Sequence, residues 1–293
     1  PARTPAPMSA PPAPAVAPPA PSPATAAGRP RQLQLAALMV AGLVATAVLG
    51  PVLYPVDPDQ LDFARIAAPP GDGHPLGTDE SGRDVLARLL VGARVSLAAG
   101  AAAMLLAVAL GTLVGAVAAL AGRRADALLM RLTDAALAVP TIFIVITVLT
   151  FFGPSVPTLI VTIGATSWMG LARLVRGELL ALREQSFVEG AIALGAPPVE
   201  RAVRHLLPHL WPTILVNATL GMGTALLTES ALSFLGLGIQ PPAASWGNML
   251  SGAQSSLFTA PWLAVYPGAM ILLSVVTINL LGDALRDLLH PAD

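Results

Sequence analysis

The sequence predicts an all-α, polytopic membrane protein with six transmembrane helices and a cytoplasmic helical hairpin. Three observations carry that expectation. The 293-residue chain is 55% hydrophobic and 11% charged, with a mean hydropathy of +0.72, whereas a soluble domain carries about 25% charged residues. Six apolar segments, 33–54, 95–121, 127–152, 157–175, 211–236 and 262–282, are each near the roughly 20 residues needed to cross the hydrocarbon. Between the fourth and fifth lies a polar, arginine-bearing stretch, 186–208, with its own helix start and stop signals.

Composition removes several function classes. A net charge of −1 leaves no electrostatic footprint for nucleic acid. Cysteine is absent, which excludes disulfides, thiolate metal sites and cysteine nucleophiles. All 16 basic residues are Arg; without Lys there is no Gly-Lys-Ser/Thr phosphate loop and no Schiff-base lysine. Any ATP used must therefore be bound by another subunit. His74, His205, His209 and His290 all fall outside the apolar segments, and no acid, base and nucleophile converge, so a membrane-embedded enzyme is disfavoured and no catalytic residue is expected. His74 among Asp72, Asp79 and Glu80 is too sparse for a metal site, and Gly71, Gly73 and Gly77 mark turns instead. An ion-coupled carrier would need mid-bilayer carboxylates. It would also be expected to show an internal repeat and broken helices in matching halves, and none of these is evident.

Taken in order, residues 1–31 are almost entirely Pro, Ala, Ser and Thr, with Met8 and Val16 the largest apolar side chains. They cannot offset their ordering entropy and read as a disordered cytoplasmic tail. The run after Arg31 is too long for a signal-peptide core, and no small-residue cleavage site follows. Residues 32–94 hold the first span and an outer loop, 95–285 a core of five spans with the hairpin, and 286–293 a cytoplasmic C-terminus. Arg29, Arg31, Arg123, Arg124, Arg131, Arg173, Arg176, Arg183, Arg201, Arg204 and Arg286 share one side, which the positive-inside rule makes cytoplasmic. Tyr54, Trp211 and Trp262 fit the interfaces, whereas Trp168 falls inside the fourth segment. Asp79 or Ser81 is expected to cap a short interfacial helix, 83–90. Gly111-x-x-x-Gly115 in the second span is a close-packing motif. Asp134 is expected near the inner interface, paired with Arg131.

The hairpin has its own logic. Ser186-Phe187-Val188-Glu189 has the form of a capping box, with the Ser186 hydroxyl and the Glu189 carboxylate each accepting the other's backbone amide. A helix over 187–194 then ends at Gly195 in the left-handed position, and Pro197-Pro198 forbids continuation. A second short helix, 199–207, ends at Pro208. Phe187, Ala191 and Leu194 share one face, and small Gly190 and Ala191 allow a partner's backbone to approach.

These residues resemble the EAA loop of ABC-importer permeases: Glu-Ala-Ala, three residues, Gly, then an apolar residue and Leu-Pro. Glu189, Ala191, Gly195, Leu207 and Pro208 match; Gly190 replaces the first Ala and His205 the usual apolar residue. Arg204-His205-Leu206-Leu207-Pro208 is similar to the peptide-importer form of the loop. Further stretches resemble dipeptide/oligopeptide/nickel permeases. They are 74–79 with Gly82-Arg83-Asp84-Val85-Leu86, 92–97, 232–242 with Ser245-Trp246-Gly247, and 279–287. The likeness covers about 32–290 and favours the second, six-span permease of such systems.

The resemblance implies a type I ABC importer permease-like core in a bacterial plasma membrane. Its ATPase-coupling residues would be Ser186, Phe187, Glu189, Gly190, Ala191, Leu194, Gly195, Leu207 and Pro208. It implies a homologous second permease subunit, two ATPase subunits carrying ATP and Mg, an extracytoplasmic solute-binding protein, and no cofactor on this chain. Short peptides are the expected cargo, with nickel or another small solute as the alternative. Glu229, about 27 Å along the fifth span at 1.5 Å per residue, with Ser230, Ser233 and Asn217, forms a candidate pore or outer gate. The alternative for Glu229 is a structural acceptor. Asp79, Arg83, Asp84 and Trp246 are expected to face the binding protein.

Overall fold

The computed structural model describes residues 23–71 and 73–289. The expected tail lies outside them through residue 22, as do Asp72 and His290. Among the described residues the structure is helical, with only isolated bridges at Gly71–His74 and Thr78–Asp84. The helices are α1 (Pro23–Leu53), α2 (Val85–Leu120), α3 (Arg123–Ala138), α4 (Thr141–Phe152), α5 (Val156–Ser167), α6 (Met169–Arg183), α7 (Ser186–Ala193), α8 (Pro198–Glu200), α9 (Trp211–Phe234), α10 (Trp246–Ala253) and α11 (Trp262–Leu289). Helix α1 thus begins inside the stretch read as tail.

Four helical stretches are long and apolar enough to cross a bilayer: Arg31–Leu53, Val85–Leu120, Arg201–Phe234 and Trp262–Leu289. Two bent pairs bring the number to six, α3 with α4 at 83° and α5 with α6 at 40°. The first bend corrects the reading of 127–152 as one uninterrupted span. Pro140 disfavours the helical region for the residue before it, and Val139 is extended at φ −87° and ψ 122°. The second bend accounts for Trp168, which sits between α5 and α6 rather than inside one span. Broken helices are therefore present, but in adjacent spans.

Helix α2 is the hub, and it is one helix where the sequence suggested two. The cap is Asp84, whose carboxylate accepts the Ala87 amide at 2.7 Å, not Asp79 or Ser81. Nothing between 90 and 95 breaks the helix: Gly92 is retained because the Trp246 ring lies 3.3 Å from where its Cβ would be. Farther along, a Cβ on Gly111 would sit 2.8 Å from the Trp168 carbonyl, and one on Gly115 2.5 Å from that of Ala172. The Gly-x-x-x-Gly face therefore seats α6 on α2. In a bilayer, where lipid is as apolar as leucine, such close packing holds helices together. Helix α1 lies against α2 and α11. Pro51 has no amide to offer the Ala47 carbonyl, and Arg94 of α2 donates to it instead at 3.2 Å, and to Val48 at the same distance.

Candidate functional site

The hairpin between α6 and α9 is built largely as its glycine and prolines require, but not at its start. Helix α7 is capped by Gln185 without a side-chain hydrogen bond, so the expected Ser186–Glu189 capping box is absent. Ser186 is already the first helical residue, which places its hydroxyl outside the capping position. The C-terminal end is a Schellman motif. Gly195 has φ +81°, its amide bonds the Ile192 carbonyl at 2.9 Å, and the Ala196 amide bonds that of Ala191 at 3.0 Å.

The second expected helix does not end at Pro208. The chain passes from α8 through a π-helical turn, Arg201–Leu206, and a 3-10 turn, Leu207–Leu210, directly into α9. The Leu207 amide reaches back five residues to the Ala202 carbonyl. This wide turn is where a helix absorbs a proline that cannot donate.

Helix α7 turns one face inward and one outward. Val188 and Ala191 are buried, and Val188 packs in a cluster with Ala119 of α2, Leu171, Val175 and Leu179 of α6, and Leu206, Leu210 and Ile214 at the root of α9. Leu194 is 90% exposed, and Phe187, Ile192, Val199 and Val203 are exposed with it. The shared face expected for Phe187, Ala191 and Leu194 is therefore divided, since Ala191 belongs to the inner side. Glu189 and Gly190 are exposed, and nothing lies within 4 Å of where a Gly190 Cβ would be. Phe187 stacks on His209, with ring centroids 5.0 Å apart and planes 21° from parallel. Arg183 donates to the Ala119 carbonyl at the end of α2 at 2.7 Å, and Thr213 to Glu178 at 3.0 Å. Asp134 pairs with Arg173 of α6 rather than with Arg131, and Asp126 pairs with Arg176.

The loop between α1 and α2 buries the residues expected to face a binding protein. Asp79, Asp84 and Trp246 are buried and Arg83 is largely so, which leaves little for a docking protein to touch. Asp79 accepts the Ser81 and Arg83 amides and the Arg83 guanidinium, all within 2.9 Å. Asp84 holds His74 at 2.8 Å and the Tyr54 hydroxyl at 3.1 Å. Burial and the Asp84 carboxylate raise the Tyr54 phenol above its ordinary pKa. The Trp246 indole donates to the Leu89 carbonyl at 3.1 Å. The loop's turns are as tight as its glycines suggested: a Cβ on Gly82 would lie 2.2 Å from the Asp62 carbonyl. Sequence reasoning missed Arg88, a buried cation bonded to Asp59 at 3.1 Å and to the Pro58 carbonyl at 3.3 Å. Its spacing from Asp84 on α2 offered a signal, because it puts Arg88 one turn above the cap.

Glu229 is fully enclosed. Ser233 donates to its carboxylate at 2.8 Å and Ser230 at 3.3 Å, and the side chains of Ser96 and Ser245 lie close by. Beside it the Trp246 amide of α10 donates to the Ser96 hydroxyl of α2 at 3.2 Å, so side chains of α2, α9 and the α10 cap gather around one buried carboxylate, the arrangement of a structural joint. Ser230 and Ser233 are buried in it. Asn217 is half-buried and donates to the Thr213 carbonyl of its own helix at 2.9 Å.

These features define a multi-pass α-helical membrane protein with a shaped, partly apolar hairpin projecting beyond its spans. Residues 111–292 match the family described as "Binding-protein-dependent transport system inner membrane component", and the chain belongs to that family. Among similar proteins, the oligopeptide transport system permease protein OppC of Escherichia coli is 39% identical over 262 residues, 88% of this chain and 87% of the relative. The OppC protein of Haemophilus influenzae is 38% identical over 258 residues, 87% of this chain and 83% of the relative. The glutathione transport system permease protein GsiD of Pectobacterium atrosepticum is 38% identical over 257 residues, 87% of this chain and 85% of the relative.

Proposed function

We propose that this chain is a membrane subunit of an ATP-driven importer of short peptides, set in a bacterial plasma membrane with both termini in the cytoplasm. Helix α7 carries the reading. It is a short, Gly-terminated helix whose inner face is buried against three spans while its outer face exposes Phe187, Ile192 and Leu194 to an aqueous compartment. Apolar side chains held there on a stiff support suit a protein partner. In this reading two ATPase subunits bind ATP and Mg and press on α7, a homologous second permease completes the pathway, and an extracytoplasmic binding protein delivers the peptide. The peptide assignment is supported by the names of the relatives, oligopeptide and glutathione permeases. The arginine distribution supports the orientation. Of the four residues expected along the path or gate, Asn217 is the one that stays accessible, while Glu229, Ser230 and Ser233 are buried and bonded to one another.

The test is peptide uptake by the assembled transporter carrying Glu189→Arg or Gly195→Pro. The first reverses a charge on the exposed side of α7. The second cannot adopt the φ of +81° found at this position and removes the bond to Ile192. Both are expected to abolish uptake and substrate-stimulated ATP hydrolysis while membrane insertion persists. Normal uptake by both variants would refute the assignment.

A further inference from the structure

We propose that His209, stacked on Phe187, is the joint that carries movement of α7 into α9, with the non-α segment 201–210 as its hinge. The proposal rests on the coupling role assigned above to α7.

Helix α7 packs against the segment that leads into α9. Val188 packs among Leu206, Leu210 and Ile214, and the Phe187 ring lies over the His209 ring at 5.0 Å. The His209 ring is not free to swivel: its Nδ1–H donates to the His205 carbonyl at 2.6 Å, which sets the plane that Phe187 meets. A push on α7 therefore acts on a fixed paddle.

The root to which this paddle is attached departs from α geometry. It runs through the π turn Arg201–Leu206 and the 3-10 turn Leu207–Leu210, and both Pro208 and Pro212 lack an amide. Mixed hydrogen-bond registers of this kind concentrate bending. From Trp211 to Phe234, α9 is regular, and it packs against α2 and α10, with a Cβ on Gly247 of α10 standing 2.5 Å from the Ser230 carbonyl near its far end. A rod held at the far end and jointed at the near end converts displacement at His209 into tilt. The contact works through shape and dispersion, so another aromatic ring at 209 should serve.

The experiment uses the complete transporter in liposomes and reads peptide uptake per ATP hydrolysed, basal ATP hydrolysis and co-purification of the subunits. His209→Ala is expected to lower uptake per ATP about fivefold or more, with basal hydrolysis and assembly unchanged. His209→Phe should restore the ratio, and Phe187→Ala combined with His209→Ala should be no worse than either alone, the signature of one shared contact. An unchanged ratio in His209→Ala, a failure of His209→Phe to rescue, or an additive double variant would each overturn the proposal. Gly195→Pro in the same assay separates the two claims. If it abolishes uptake while His209→Ala does not, only the joint fails; if uptake survives Gly195→Pro as well, the coupling reading fails with it.

Discussion

Replacing Glu229 removes the buried acceptor to which the Ser230 and Ser233 hydroxyls donate. Buried donors left without a partner cost about 1–3 kcal/mol, so Glu229→Ala should lower the melting temperature of the purified chain in detergent. Glu229→Gln, which keeps an acceptor oxygen and the volume, should lower it less. Equal melting of Ala and wild type would show that the carboxylate is not structural. Residues of this kind were only half legible in sequence. The cost of a carboxylate in a span identifies Glu229 as special, but the pore and structural readings differ in what surrounds it. Ser96 lies 133 positions away in the chain (229 − 96), and no local pattern links the two. The same holds for Asp79, Arg83 and Trp246, whose polarity or size suggested an outward surface and whose partners turned them inward. Gly195 was legible because a left-handed turn before Pro197-Pro198 is a local necessity.

At the scale of elements, the contact between α2 and α6 gives opposite outcomes for one substitution at two glycines. Alanine is favoured over glycine in a helix by up to about 1 kcal/mol. At Gly42 of α1, where nothing lies within 4 Å of the new Cβ, Gly42→Ala should hold or raise thermal stability. At Gly115 the Cβ would stand 2.5 Å from the Ala172 carbonyl, so Gly115→Ala must separate two helices at a cost of about 1–3 kcal/mol. Melting curves of the two variants check this, and a Gly115→Ala protein as stable as Gly42→Ala would deny the close approach. The Gly-x-x-x-Gly spacing announced a contact and left its partner unnamed, because α6 is brought alongside only by the fold. The break at Val139–Pro140 was readable from proline chemistry, yet an apolar count over 127–152 passed across it. Hydropathy averages a window, whereas a helix is broken at single residues.

Over the whole molecule, α2 carries α1, α5, α6 and α9 on its sides. Trp246 of α10 is bonded to Ser96 and Leu89 near its N-terminal end, and Val188 of α7 shares a cluster with Ala119 at its C-terminal end. The chain has no lysine and hence no Gly-Lys-Ser/Thr phosphate loop. Purified alone into lipid vesicles it should therefore accumulate no peptide against a gradient, with or without ATP, while adding the ATPase subunits, second permease and binding protein should restore accumulation. Uphill transport by the chain alone would exclude the scheme. What the amino-acid order determined by itself was set by local chemistry and by transfer from water: the all-helical, multi-pass class and the hairpin's glycine stop. Each follows from transfer energies and backbone restrictions that act within a few residues. Only the tertiary structure decided which polar residues are buried partners, where a span bends, and that Phe187 rests on His209. Those outcomes depend on side chains brought together from distant parts of the chain, whose pairing energies exist only once the helices have packed.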